Sequence, residues 1–403
     1  MSGRDAALAG LLAERGLIAL LSALDRDGEE TRVVGGAVRN ALLGRPVHEI
    51  DLATTLPPER TAELARAAGW KAVPTGIEHG TLTVVVKGRP FEVTTLREDV
   101  KTDGRHAVVR FGRDFAADAA RRDFTMNALS LGRDGRLHDY VGGLDDLRAG
   151  RVRFIGDAHR RIHEDYLRIL RFFRFSADYA DGPVDPDGLD ACIQGRDGLA
   201  RLSRERVRAE LLKLLAARRA GEIVELLSGS GLLARLVGGI ADPGRLARVA
   251  AADPEGGDSI RRLAASLVLT REDADRLRER LRLSNAEGDR LAAYADVLAR
   301  LRSGPHPLEA ADLRRIAATA GLPALLDALA AVTGEPRPRL TADANALAQS
   351  YASGREGAPA FPLAGRDLLA TGVPPGPELG RQLAALKANW LEAGCPPDWR
   401  WTG

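Results

Sequence analysis

Apolar positions along this chain change their spacing near Gly156, and the change separates two kinds of structure. Before it, short alternating or β-branched runs predict strands separated by Gly, Pro or charged turns. The predicted strands are 31–34, 49–53, 71–73, 81–86, 91–95 and 128–131, and the predicted helices are 8–24 and 37–43. Beyond it, Leu, Ala and Arg recur at helical intervals almost to the last residue. The pattern predicts an α+β domain followed by an all-helical region.

The helical region is divided by segments rich in Pro and Gly at 181–188, 253–257, 304–307 and 353–362. A chain of 403 residues also exceeds what one hydrophobic core usually serves. We therefore predict a catalytic head at 1–150, a helical neck at 151–220, a body at 221–330 and a tail at 331–403.

Composition is typical of a globular protein, with 45% hydrophobic and 28% charged residues. No stretch approaches the roughly 20 apolar residues that a membrane span requires, so we expect no membrane association. The first residues show no apolar core bounded by a cleavage signal, and Cys192 and Cys395 are the only cysteines. These features favour a reducing cytoplasm, and no protein partner is evident.

Charge is unevenly placed although the formal net charge is only +2. Residues 151–176 contain seven Arg against three acids, and residues 201–220 contain seven Arg or Lys against two. The two segments carry +4 and +5 within an otherwise acidic chain, which favours a polyanionic partner such as RNA. Solvated helix faces rich in Arg are the alternative interpretation.

Glu49 and Asp51 stand two residues apart in a predicted strand, so their side chains leave the same face. Carboxylates held side by side repel, and the usual relief is one or two Mg²⁺ ions that orient the attacking and leaving oxygens. Glu92 lies opposite to the apolar positions of its own predicted strand and is a candidate third acid. The pattern predicts a magnesium-dependent catalytic site.

Gly35 and Gly36 precede a predicted helix, where missing side chains let backbone N–H groups and the helix N-terminus approach a phosphate. Arg39, one turn later, can reach the same oxygens. A strand, a tight turn, a two-turn helix and a return strand bring these residues and the acids to one sheet edge. Together they predict binding of a nucleoside triphosphate.

Four segments in this order, 34–55, 95–97, 121–129 and 164–175, resemble the class II tRNA nucleotidyltransferases. These are the CCA-adding enzymes, which have bacterial poly(A) polymerases as close relatives. The resemblance implies a polymerase-β-like mixed-sheet head followed by an all-α neck, body and tail. It also implies template-independent, Mg²⁺-dependent addition of C, C and A to tRNA 3′ ends from CTP and ATP.

The resemblance assigns roles to individual residues of the head. Gly36 and Arg39 match triphosphate contacts, Glu49 and Asp51 match metal ligands, and Glu92 matches a third acidic residue. Arg122 and Asp123 match the pair that reads the ribose, and Asn127 follows in the same nucleotide-binding motif. Two positions depart from the family pattern, since Glu49 and Asn40 stand where Asp is usual.

The segment 164–168 implies how the base is chosen. On a helix, Asp165 and Arg168 would share one face, with Arg171 beside them and Arg174 turned away. An Arg donor and an Asp acceptor suit the base-pairing edges of cytosine and adenine. The family uses this Asp and Arg as a template, with later arginines touching or positioning the nucleotide. Apolar positions between them, such as Phe172 and Phe173, are predicted to be core.

Residues 98–106 are too polar for a core element and predict a mobile loop, which the family needs for switching to A. Two alternatives remain open. One is a poly(A) polymerase of the same fold, which the short and weakly basic tail disfavours. The other is a non-catalytic RNA-binding protein, which the two departures at Glu49 and Asn40 suggest and the remaining intact motif residues disfavour.

Overall fold

The computed structural model describes residues 3–76, 80–102, 107–253, 257–396 and 398–400. Its contacts divide the chain into two compact units, residues 1–201 and residues 202–403. The boundary falls inside the segment predicted as the neck, and the four-part division of the chain stays a prediction. The first unit contains every residue with a predicted catalytic or nucleotide-binding role.

A mixed sheet of seven strands forms the centre of the first unit, and two further strands form a separate hairpin. The strands are β1 (Thr31–Val34), β2 (Asp51–Thr54), β3 (Lys71–Gly76), β4 (Thr81–Val86), β5 (Arg89–Thr95), β6 (Arg97–Thr102), β7 (Ala107–Phe111), β8 (Ser130–Leu131) and β9 (Leu137–His138). The order in the large sheet is β3-β4-β5-β2-β1-β8-β9. The predicted α+β class with an N-terminal mixed sheet is confirmed.

Strand β2 begins at Asp51, so the prediction of a strand from residue 49 is wrong at its start. The physical reason lies in the partner strand. Val34, the last residue of β1, pairs with Asp51, and Gly35 then turns the chain away into a helix. No β1 backbone continues opposite Glu49, which lies in the irregular segment before β2.

The pairing of β2 with β5 is parallel, whereas the other pairs in the large sheet are antiparallel. Parallel neighbours need a crossover connection. The segment between them supplies it with one helix, Pro58–Ala67, and with β3 and β4. In this register Asp51 lies directly opposite Glu92.

The helices of the first unit lie before, between and after these strands. They are α1 (Gly3–Leu12), α2 (Leu17–Leu24), α3 (Gly36–Leu42), α4 (Pro58–Ala67), α5 (Phe115–Ala120), α6 (Gly143–Arg148), α7 (Ala158–Glu164), α8 (Leu167–Tyr179) and α9 (Pro186–Gln194), with 3₁₀ turns at Thr125–Asn127 and Gly195–Arg201.

The single helix predicted over 8–24 is wrong, because Gly16 divides it into α1 and α2. Gly16 adopts a φ of 87°, a left-handed conformation that ends a continuous α-helix. Taken together at their 78° bend, α1 and α2 meet length and composition criteria for a membrane span, and no single helix within the described ranges does so. In this fold the apolar face of α2, including Leu17 and Leu20, is fully buried.

Strands β6 and β7 pair antiparallel from Arg97 opposite Phe111 to Thr102 opposite Ala107. The prediction of a loop is therefore wrong for residues 98–102. A two-stranded ladder satisfies backbone N–H and C=O groups without needing an apolar face, so polar composition does not exclude it. Residues 103–106, including His106, lie outside the described residues.

Aromatic packing joins α8 to the rest of the first unit. The Phe124 ring lies 5.0 Å from the rings of Phe154 and Phe175, and Phe154 stacks on Phe172 at 5.2 Å. All four side chains are buried, as is Phe173. The prediction that the apolar positions of α8 belong to the core is confirmed.

The regular secondary structure among the described residues of the second unit is helical, apart from an isolated bridge between Leu308 and Leu340. Its helices are α10 (Arg204–Ala216), α11 (Ala220–Gly229), α12 (Leu232–Val237), α13 (Pro243–Ala252), α14 (Ser259–Leu267), α15 (Arg271–Leu281), α16 (Asn285–Arg302), α17 (Ala310–Ala320), α18 (Leu322–Val332), α19 (Ala342–Ala352), α20 (Gly365–Ala370) and α21 (Pro377–Glu392). The prediction that helices replace strands after about Gly156 is confirmed.

Close backbone approach at Gly143 fixes the turn Thr125–Asn127. Helix α6 packs against this turn, and the Thr125 hydroxyl donates to buried Asp146 of α6 at 2.6 Å. A Cβ atom added at Gly143 would lie 2.1 Å from the Thr125 carbonyl oxygen. The contact is with backbone, which cannot rotate away, so only glycine fits here.

We expect Gly143→Ala to lower the free energy of unfolding by about 2 kcal/mol, because the new methyl group must displace the Thr125 backbone. Gly182→Ala is the matched control, since nothing lies within 4 Å of its added Cβ atom. Urea unfolding of both variants tests the difference. Equal stability of the two would contradict the close approach.

Candidate active site

Asp51 and Glu92 are brought together by the parallel pairing of β2 and β5. Residues directly opposite in such a pair project to the same face of the sheet. Both line a cavity of about 260 Å³, together with Asp118, Arg121 and Arg122. Glu49 is exposed and lies two residues before the strand, outside this lining. The cavity therefore joins two of the three predicted catalytic acids.

The pKa of Asp51 is raised, first by desolvation and then by the charges of Glu92 and Glu49. The nearby charge of Arg122 acts in the opposite direction but does not outweigh them. Glu92 and Glu49 therefore each lie close enough to act on Asp51, although Glu49 is not part of the strand. A cation at this point would remove the repulsion.

The donor set suits a hard divalent cation, because it consists of carboxylate oxygens. No described side chain donates a hydrogen bond to Asp51 or Glu92. Within the described ranges, however, no three His, Cys, Asp or Glu side chains form a ready-made metal site. Asp51 and Glu92 are the cavity residues whose oxygens suit a divalent cation. A role for Glu49 as a ligand stays a prediction.

The glycine turn lies beside the acids because β1 is the neighbour of β2. Gly35 has a φ of 69° and a ψ of −128°, and its N–H donates to the Leu129 carbonyl at 3.1 Å. Gly36 then begins α3. A Cβ atom on Gly35 would lie 3.1 Å from Nη1 of Arg122, so glycine is needed there for both backbone conformation and space.

Arg39 is buried, and its guanidinium is held by neutral groups. Its N–H groups donate to the side-chain oxygens of Asn127 and Asn40 and to the Tyr179 hydroxyl. The guanidinium carbon also lies 4.1 Å from the centre of the Tyr179 ring. Burial lowers the pKa of Arg39. No carboxylate among the described residues forms an ion pair with it, although the charges of Asp123 and Asp178 act on it from a greater distance.

The sequence analysis missed Asp118, the acidic residue that binds both arginines of the cavity. It is buried and accepts from Arg121, while its Oδ2 accepts from Nε and Nη2 of Arg122 at 3.1 and 2.9 Å. Burial alone would raise the pKa of Asp118, but the charges of and hydrogen bonds from both arginines outweigh it and lower this pKa. The spacing of an acid three and four residues before two arginines was the available signal.

Asp123 and Asn127 belong to a hydrogen-bond network that reaches α8. Oδ1 of Asp123 accepts from the Phe124 N–H and from Nδ2 of Asn127, and Oδ2 accepts from Arg171 at 2.6 and 2.8 Å. Burial opposes ionisation, but the charge of Arg171 and these bonds lower the pKa of Asp123. Arg122 and Asp123 are adjacent in sequence, yet each pairs with a different partner.

Asp165 and Arg168 do not share one helix, so that prediction is wrong. Asp165 ends α7 with an extended backbone, at φ −154° and ψ 109°, and its Oδ1 accepts the Leu167 N–H at the start of α8. Arg168 follows in the first turn of α8. The helix is interrupted at Asp165, whose side chain bonds to the first residue of α8, and i,i+3 spacing alone cannot distinguish this arrangement from a pair within one helix.

Arg168 is anchored towards the head by three acceptors. Its Nη1 donates to Glu164 at 2.7 Å and to the Arg161 carbonyl at 3.0 Å, and its Nη2 donates to the Arg121 carbonyl at 3.2 Å. Arg174, two turns further along α8, lies with its guanidinium carbon 4.3 Å from the centre of the Phe175 ring. The base-reading roles of Asp165, Arg168, Arg171 and Arg174 stay predictions.

Many arginines of the two basic segments form ion pairs within their own unit. Arg151 and Arg153 pair with Asp146, Arg160, Arg161 and Arg168 pair with Glu164, Arg208 pairs with Glu287, and Arg219 pairs with Glu222. Several, such as Arg151 and Arg160, keep half or more of their side-chain surface exposed. The segments thus combine structural pairing with accessible positive charge.

Two family models match the chain. A model described as the poly A polymerase head domain matches residues 31–153, and one described as a probable RNA and SrmB-binding site of polymerase A matches residues 183–242. The first match contains the glycine turn, the three acids and the Arg121–Asn127 segment. The second contains the second basic segment.

Curated relatives match over two different extents. The mitochondrial CCA tRNA nucleotidyltransferase 1 of Danio rerio is 45% identical over 220 residues, covering 54% of this chain and 51% of the relative. The chain thus aligns with about half the length of that protein. The Mus musculus protein of the same name is 34% identical over 393 residues, covering 94% of this chain and 87% of the relative.

A crystal structure of the Bacillus stearothermophilus CCA-adding enzyme in complex with CTP is also similar. It is 30% identical, with a TM-score of 0.70, and the match covers 93% of this chain and 92% of that one. The likeness therefore extends over the sheet and the helical region alike.

We expect Asp51→Asn to stabilise the metal-free protein at neutral pH. A raised folded-state pKa means that the native state holds the Asp51 proton more tightly than the unfolded chain does. Stability is therefore lost as pH rises from the unfolded-state pKa through the folded-state pKa, and an amide cannot lose a proton. Because Asp51 is accessible to solvent, the gain should stay below about 1 kcal/mol.

Thermal unfolding in EDTA at about pH 5 and about pH 7.5 measures this gain, which should be larger at the higher pH. Asp145→Asn, at an exposed position of α6, is the control. A loss of stability for Asp51→Asn at neutral pH would refute the electrostatic conflict.

Proposed function

This chain belongs to the class II CCA-adding enzyme family of nucleotidyltransferases, and from that premise we propose that it adds C, C and A to the 3′ end of tRNA, using CTP and ATP. One observation carries the proposal. A single cavity contains two repelling carboxylates, Asp51 and Glu92, and the cationic group Arg121–Arg122. Such a site suits a substrate that brings both phosphate charge and a metal ion.

Nucleotidyltransferases of this family use a divalent metal, and we propose Mg²⁺ with Asp51, Glu92 and Glu49 as the residues that hold it. When bound, the ion supplies a Lewis acid that neutralises phosphate charge as it develops. In the reaction the 3′-hydroxyl oxygen of RNA bonds to the α-phosphorus, pyrophosphate departs, and the hydroxyl proton is released. The protein's own contribution is to orient these groups and to bind the triphosphate.

Arg39 is the residue that we propose for the triphosphate, and we add Arg122, which the family pattern assigns to the ribose pair, because its Nη1 lies beside the Gly35 turn. The neutral partners of Arg39 support this role, because they orient the guanidinium without cancelling its charge. Gly35 supports it by leaving space beside Nη1 of Arg122, and Gly36 begins α3, the helix that carries Arg39. Asp123 and Asn127, held by Arg171 and Arg39, are proposed to meet the ribose, where a carboxylate can accept from the 2′-hydroxyl.

Selection of cytosine and adenine is proposed for Asp165 and Arg168 at the junction of α7 and α8. A guanidinium has five N–H groups, and within the described residues Arg168 uses two of its nitrogens as donors. It is thus oriented by contacts that leave donor capacity for a base. Asp165 supplies a carboxylate beside it, and an Arg–Asp combination matches the acceptors and donors of both bases.

The RNA partner is proposed to be tRNA, bound mainly through its backbone. The exposed arginines of 151–176 and 201–220 support this, as does the match of residues 183–242 to an RNA-binding family model. For the compartment we propose the cytoplasm, supported by Cys192 and Cys395, which are both free thiols.

The direct test incubates the purified protein with tRNA lacking CCA and each labelled nucleoside triphosphate. We expect incorporation of C, C and A and then a stop, and we expect Asp51→Ala to reduce turnover at least about 100-fold with tRNA binding intact. Glu49→Asp should retain activity, because it restores the usual ligand. Continued addition of A would instead support a poly(A) polymerase, and full activity of Asp51→Ala would remove Asp51 from the chemistry.

Base selection is tested by replacing both Asp165 and Arg168 with Ala. The preference for CTP over UTP should fall towards unity, since donor and acceptor groups that oppose the correct base are lost. The measurement is the ratio of kcat/KM values for the two nucleotides on tRNA lacking CCA. Arg196→Ala is the control, since Arg196 is an exposed arginine of the turn Gly195–Arg201 with no proposed role in nucleotide binding. An unchanged ratio in the double variant would locate base reading elsewhere.

A further inference from the structure

Asp118 has the geometry of an anchor for two arginines. Both carboxylate oxygens are occupied, Oδ1 by Arg121 and Oδ2 by Nε and Nη2 of Arg122. The residue is only 4% exposed, and it sits on the short helix α5 immediately before both arginines. With its oxygens filled in this way, Asp118 can act on a substrate only through the side chains that it holds.

Arg122 has other anions within the same small space. Asp51 and Glu92 line the same 260 Å³ cavity, and the charge of Arg122 already acts on the carboxyl group of Asp51. Those two carboxylates repel each other and receive no hydrogen bond from a described side chain. A guanidinium released from Asp118 would therefore gain most by moving onto them, where it would occupy the place of a metal ion.

We infer that Asp118 is a positioning residue that keeps Arg122 away from Asp51 and Glu92, and so leaves this pair of carboxylates open to a divalent cation. The inference rests on the proposed function, which supplies the metal site, and goes beyond it by assigning a role to a residue outside that site. Without the anchor, the enzyme's own arginine competes with the metal.

The direction of the Arg122 side chain agrees with this role. Because Nε and Nη2 both bond to Oδ2 of Asp118, the remaining Nη1 points towards the Gly35 turn, 3.1 Å from where a Cβ atom would stand. Nη1 also lies 3.5 Å from the Asn127 carbonyl oxygen. The same anchor that withholds Arg122 from the acids thus directs it to the turn proposed for the triphosphate.

Direct measurement of Mn²⁺ binding tests the inference without any turnover. Free Mn²⁺ is measured by its EPR signal in solutions of wild type, Asp118→Asn, Arg122→Gln and the double variant. We expect Asp118→Asn to bind Mn²⁺ roughly fivefold more weakly, the size of one partly exposed charge pair. The double variant should regain wild-type affinity, and Arg122→Gln alone should not weaken binding, because it removes the competing cation.

Asp114→Asn is the matched control, since Asp114 is the exposed N-cap of the same helix and contacts neither arginine. It should leave Mn²⁺ affinity unchanged. If Asp118→Asn does not fold, Arg122→Lys replaces it, because lysine keeps the charge but loses the two-pronged contact with Oδ2. Arg122→Lys should then weaken Mn²⁺ binding while Arg122→Gln does not.

Three results would overturn the inference. Equal Mn²⁺ affinity in Asp118→Asn and wild type would show that Arg122 does not compete with the metal, with the proposed function unaffected. Weaker binding that the double variant does not restore would reduce Asp118 to a structural residue of α5. Wild-type protein that binds no Mn²⁺ would refute the proposed metal site, and this inference with it.

Discussion

The parallel pairing of β2 with β5 places Asp51 beside Glu92, and the resulting repulsion is the constraint to which the rest of the site responds. A folded protein tolerates such a pair only where the surrounding structure determines it. Here the central sheet supplies that support, because both strands are interior members with partners on each side. The site is thus poised for a cation by backbone geometry, before any side chain of the helical region takes part.

The arginines around the acids have different hydrogen-bond partners, and the partner determines how much positive charge each arginine can offer to a substrate. Arg171 forms an ion pair with Asp123. This pairing fixes the position of the carboxylate and neutralises much of the arginine's charge. Arg39 is oriented by amide and hydroxyl oxygens and keeps its charge. Arg122 lies between these two cases, because it pairs with Asp118 while its charge also acts on Asp51. One residue type therefore serves three purposes, and only the partner distinguishes them.

The junction of α7 and α8 couples the sheet to the helices that follow. Arg161 and Arg168 donate to the carbonyls of Ala120 and Arg121 at the end of α5, which a helix C-terminus leaves without intrahelical partners. Phe124 also packs against rings from α8. Hydrogen bonds and aromatic packing thus both connect α7 and α8 to the segment that carries Asp123.

Local patterns predicted six of the seven strands of the large sheet, the late helical region and the candidate site residues, because side-chain periodicity and glycine positions are encoded within a few residues of each element. Spacing could not determine that Glu49 lies outside β2 or that Asp165 lies between α7 and α8. The first depended on where β1 turns away at Gly35, and the second on a backbone break that i,i+3 spacing does not reveal. The role of Asp118 was also decided by tertiary structure alone. An acid before two arginines is a common helical pattern, and only the cavity that Arg122 shares with Asp51 gives that pairing a consequence.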